Sequence, residues 1–95
     1  MDSGNHYILF YTTIENYVEK RTPFREEHLR LADDARQRGD LLMAGALENP
    51  ADGAILVFRA QSPEVAEDFA KNDPYVKNGL ITKWFVRKWN VVVRE

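Results

Sequence analysis

The chain is 95 residues long, 44% hydrophobic and 29% charged, with a formal net charge of −2. That length holds one domain, and the charge supplies no general pull toward nucleic acid or an anionic membrane. The chain has no cysteine, which excludes disulfides, thiol catalysis and zinc–cysteine sites.

No apolar run approaches the roughly 20 residues that span a bilayer. Residues 1–5, Met-Asp-Ser-Gly-Asn, lack the basic and apolar regions of a signal peptide and read as a short disordered lead-in. A single domain is expected over residues 6–95, in a protein suited to the cytoplasm.

In chain order, residues 7–12 are aromatic and β-branched and predict a strand. Tyr7, Leu9 and Tyr11 fall on one face, Ile8 and Phe10 on the other, so both faces should be covered. Residues 14–21 form a connection. A helix follows over 22–38, with Thr22 as N-cap, Pro23 at its first position, and Arg36, Arg38 and Gly39 at its end. Its apolar row is Phe24, Leu31, Ala32 and Ala35, and the i+4 place in that row is held by His28. An imidazole thus stands where a leucine is expected.

The apolar run 41–47 predicts a buried strand, with Gly45 marking a bulge or a close approach. A turn over 48–53 joins it to a third strand at 54–60. Ser62 and Pro63 then start a second helix, whose inward stripe of Val65, Ala66, Phe69 and Ala70 continues to Asp73. Pro74 pushes residue 73 out of helical geometry and ends the helix. Residues 75–78 form one more turn, closed by Gly79, before a final strand over 81–93. The order strand, helix, strand, strand, helix, strand is the ferredoxin-like α+β arrangement, an antiparallel sheet with both helices on one face. Apolar residues on both strand parities then predict a homodimer built by two sheets face to face.

Two ionisable groups lie on inward rows, His28 and Asp73, on helices that pack side by side. Aspartate at a helix C-terminus calls for a compensating partner, and a carboxylate that orients an imidazole is a recurrent acid–base device. Two structural readings stand beside this one. Asp73 and Pro74 also form a cap and first-position pair for the turn that follows, and a lone histidine on an apolar face is commonly a hydrogen-bonded core residue. His6, at the start of the first strand, is a bystander. The histidines lack metal-ligand spacing, and there is no glycine loop for phosphate or dinucleotide, so no metal or cofactor is expected. RNA-recognition motifs share this strand order, but the third strand lacks their basic glycine–aromatic signature.

At these residues the chain resembles the YCII-related (YciI-like) family of the dimeric α+β barrel superfamily. The matching pieces are Glu19-Lys20-Arg21, Arg25-Glu26-x-His28-Leu29, Ala44-Gly45 and Asp73-Pro74-Tyr75-Val76-x-x-Gly79-Leu80. Ala46 stands where the family's Ala-Gly-Pro pattern has proline. The resemblance implies the ferredoxin-like fold, a face-to-face dimer, and an active site on His28 and Asp73, with Arg25 one turn before the histidine. It also implies a branch that eliminates chloride from a chlorinated hydroxyhydroquinone. Together these readings predict a cofactor-independent lyase or isomerase acting on a small cyclic molecule. His28 is its general base or acid, Asp73 orients it, Arg25 holds an anionic group, and Tyr75, Gly45 and the sheet aromatics line the substrate pocket. The alternative is a non-catalytic module binding a small molecule or a partner, in which the pair only bridges two helices.

Overall fold

The computed structural model describes residues 4–95. Expectations for residues 1–3 of the lead-in lie outside that range, and Asn5 already belongs to the first strand. The elements are β1 (Asn5–Thr13), α1 (Tyr17–Lys20), a 3-10 turn (Thr22–Phe24), α2 (Arg25–Gln37), β2 (Leu41–Ala46), β3 (Gly53–Ala60), α3 (Glu64–Asn72), α4 (Pro74–Lys77) and β4 (Ile81–Trp89). The four strands make one antiparallel sheet in the order β2-β3-β1-β4. This is the ferredoxin-like α+β arrangement.

Register and parity decide which side chains meet the helices. Tyr7 pairs with Phe58, Leu9 with Leu56 and Tyr11 with Ala54 across β1 and β3. These residues share one face and are buried with Ala35 of α2, Ala66, Phe69 and Ala70 of α3, and Tyr75 of α4. The opposite parity, Ile8, Phe10, Ile55, Val57 and Phe85, forms the second face. No helix of the described residues is long and apolar enough to cross a membrane.

Several local expectations are corrected. The connection over 14–21 contains α1, which opens at Asn16 in the left-handed region (φ 58) and buries Tyr17; asparagine is one of the few residues that adopts this conformation readily. Thr22 makes no capping hydrogen bond, because the preceding residue, Arg21, is already αR and the chain passes from α1 through the 3-10 turn into α2 without an extended step. Ser62 is likewise not the cap of α3. Pro63 takes that position with αR angles and offers no side-chain oxygen.

β2 is not buried. Only Leu41 is, because β2 pairs with β3 alone and forms an edge of the sheet. Its register shift falls between Leu41 and Met43, not at Gly45, where an added Cβ would meet nothing within 4 Å. β4 stops at Trp89 instead of 93, since Trp89 pairs with His6 and β1 has nearly run out of residues to pair beyond it.

Candidate functional site

Three elements converge on one carboxylate. Pro74 holds Asp73 extended at ψ 124, so its side chain leaves α3 and turns back over the start of α4. There Asp73 is fully buried. Its Oδ1 accepts the Tyr75 backbone N–H at 2.9 Å, which is the cap of α4. Oδ1 also lies 2.9 Å from His28 Nδ1 on α2, and Oδ2 accepts the Tyr11 hydroxyl of β1 at 2.7 Å. The capping role and the histidine partnership therefore coexist on one side chain.

Both Asp73 oxygens act as acceptors, so the matching imidazole tautomer donates from Nδ1. That leaves the Nε2 lone pair on the other ring edge. The ring is fixed a second time by Tyr75, whose ring stacks on it at 3.9 Å with an 8° interplanar angle. Tyr75 in turn meets Tyr17 edge-on at 5.7 Å, and the Arg21 guanidinium carbon lies 5.2 Å from the Tyr17 ring centroid. A ladder of rings thus relates the imidazole to a cation on the neighbouring turn.

Burial pushes the Tyr11 phenol far above the ordinary tyrosine range, and the Asp73 charge with the hydrogen bond to it acts in the same direction. Tyr11 therefore stays protonated and keeps donating to Asp73. Burial also pushes Tyr75 up, joined by Tyr17 and opposed by Arg25 and Arg21. The Tyr75 hydroxyl is buried with no hydrogen-bond partner among the described residues.

His28 keeps 15% of its side chain exposed, and it does so on the wall of a cavity of about 260 Å³. Arg21 and Arg25 line the same cavity beside it, the Ala44-Gly45-Ala46 run of β2 forms another wall, and Tyr11, Ala54 and Leu56 of the sheet also line it. Of the residues expected at the site, His28, Arg25 and Gly45 line the cavity, while Asp73 does not line it and reaches it only through His28. Tyr75 does not line the cavity and stands behind His28 instead. Tyr11 is one of the sheet aromatics expected to line the pocket, but its bond to Asp73 was not anticipated, and Tyr17 and Arg21 were given no role. The signal for Tyr11 was present: a hydroxyl on the helix-facing parity of β1 must find a buried acceptor. Tyr17 gave none, because α1 was read as a connection, and Arg21 stood in the matching piece Glu19-Lys20-Arg21 without a role attached to it. No group of three or more potential metal ligands occurs among the described residues.

Comparison with known proteins agrees with this architecture. A solved structure of 5-chloro-2-hydroxyhydroquinone dehydrochlorinase from Burkholderia phenoliruptrix, in complex with 2,5-dihydroxybenzoquinone, superposes with a TM-score of 0.74. It is 18% identical, with 90% of this chain and 93% of that one covered. A protein of Pseudomonas aeruginosa has a TM-score of 0.62 at 10% identity, covering 98% of this chain and 99% of its own. A dimeric ferredoxin-like protein from an uncultured marine organism has a TM-score of 0.56 at 14% identity, covering 99% and 96%. In sequence, an uncharacterized protein of Haemophilus influenzae is 30% identical over 96 residues, spanning 92% of this chain and 98% of the relative. The YCII-related domain model matches residues 6–90, which include all of the sheet but Asn5, together with His28 and Asp73, and with that match the chain belongs to the YCII-related family.

Proposed function

We propose that the protein is a cofactor-independent enzyme of lyase or isomerase type that moves a proton on a small cyclic organic molecule. The observation that carries this reading is the 2.9 Å contact between His28 Nδ1 and the buried Asp73 carboxylate at a cavity wall. His28 Nε2 takes a proton from the substrate, and the imidazolium is stabilised by Asp73. The electron pair released then either expels a leaving group from the adjacent carbon, which is elimination, or is reprotonated by His28 at another carbon, which is isomerisation. Arg25 and Gly45, which line the same cavity, contact the substrate, and Tyr75 holds the imidazole by stacking on it. The dehydrochlorinase activity of the Burkholderia neighbour makes elimination of chloride the first reaction to try.

The same reading includes a homodimer joined through the second sheet face. Apolar residues on both strand parities and the dimeric marine neighbour support it. A rival reading, a non-catalytic binding module, draws on the capping of α4 by Asp73, which gives the carboxylate a structural task.

The test is deuterium exchange from D2O into ring C–H positions of small cyclic diketones and hydroxyquinones, followed by NMR, together with chloride release from 5-chloro-2-hydroxyhydroquinone. Wild-type protein should promote exchange or release, and His28→Ala should lower the rate by about 10²–10⁴-fold with an unchanged circular dichroism spectrum. Equal rates in the two proteins would establish the rival reading.

A further inference from the structure

The charge around the cavity is unlike the charge of the chain as a whole. The protein has 15 acidic against 13 basic residues, yet the cavity wall carries two guanidiniums, Arg21 and Arg25, and the His28 imidazole, with no carboxylate among the described lining residues. Arg21 is anchored over the Tyr17 ring. Cations focused in a cleft with low-dielectric walls attract a counter-ion.

Shape narrows the class of that counter-ion. The β2 wall, Ala44-Gly45-Ala46, carries nothing larger than a methyl group, which leaves strand backbone open to the cavity that Arg25 and His28 also line. At about 260 Å³ the space lies just below the range of about 300–1,000 Å³ typical of drug-sized ligands, which suits a single ring with short substituents.

We infer that the cavity takes a planar organic anion, a ring bearing a carboxylate, phenolate or enolate oxygen, clamped between Arg21 and Arg25 so that a ring proton faces His28. This rests on the acid–base reading only for the role of His28; the anion clamp stands on the arginines. Guanidiniums suit the task because they present paired donors to a delocalised oxyanion. Arg21 is a positioning residue in this scheme, and its place depends on Tyr17.

The experiment is calorimetric titration with 2-hydroxybenzoate and with 2-hydroxybenzamide, a neutral molecule of nearly the same shape. The benzoate should bind in the millimolar range or tighter, the amide about tenfold more weakly or not at all, and rising salt should weaken only the benzoate. Arg21→Gln and Arg25→Gln, both surface-accessible changes, should each weaken benzoate binding about tenfold, and the double variant should abolish it. Equal binding of amide and benzoate, no binding of the benzoate, or arginine variants that bind it like wild type would each overturn the assignment. The two readings fail separately. Benzoate held by the arginines in a protein that exchanges no ring protons leaves the clamp standing and the acid–base role fallen; exchange on neutral diketones without any anion preference does the reverse.

Discussion

Asp73 concentrates the physics of the site in one side chain. A fully buried carboxylate is tolerable only when its oxygens are occupied, and here three donors from three elements meet it: the Tyr75 N–H, the Tyr11 hydroxyl and His28 Nδ1. Removing the Tyr11 hydroxyl leaves Oδ2 without its donor. Tyr11→Phe should therefore destabilise the protein by about 1.5–3 kcal/mol, read from urea denaturation at neutral pH. The same residue sets an alkaline limit. Its phenol is pushed up in the folded protein, so its contribution is complete below the ordinary tyrosine value of about 10 and is lost as pH climbs above it toward the folded value. Thermal melting between pH 8 and 11 should show wild type losing stability above about pH 10 more steeply than Tyr11→Phe.

At the scale of elements, the pieces that place the site are short and irregular. α2 carries His28, and it must stop and reverse within a few residues so that β2 can close the cavity. Gly39 makes that reversal at φ +86, and a Cβ there would touch nothing within 4 Å. The penalty for Gly39→Ala is then purely conformational, about 1–2 kcal/mol in a denaturation midpoint, with no loss of packing. The Asp73-Pro74 pair does the equivalent work between α3 and α4. Its effect was legible, because proline excludes α geometry from the residue before it. The helix starts were less legible. Thr22-Pro23 and Ser62-Pro63 both look like cap and first-position pairs, but each proline follows a chain that is already bent or helical, so neither hydroxyl reaches a free N–H. Local composition offers the cap; the path of the preceding chain decides whether it is used.

Over the whole molecule, the second sheet face is the surface on which the proposed homodimer rests. Phe10 and Phe85 stack there at 4.9 Å, while Met43 stays 66% exposed, Trp89 46% and Phe85 41%. Apolar residues contiguous across several strands are what an interface between copies requires. The proposed homodimer predicts a dimer mass in light scattering for wild type, and Phe85→Asp should shift it to the monomer while leaving the His28–Asp73 side of the sheet folded. A monomeric wild type would leave that face to some other cover.

Periodicity and parity in the sequence determined the order of the four strands and the two long helices, the two-sided strands, and the inward rows that carry His28 and Asp73. They did so because strand alternation and helical spacing are local rules, expressed whatever the chain packs against. The tertiary structure decided what those rules cannot reach. It made β2 an edge strand although its sequence looks buried, ended β4 where its partner runs out, and put Tyr75 behind the imidazole instead of on the cavity wall. It also brought Tyr11 to Asp73 across 62 positions of sequence. A contact of that kind depends on register and packing between distant segments, and only the folded chain specifies it.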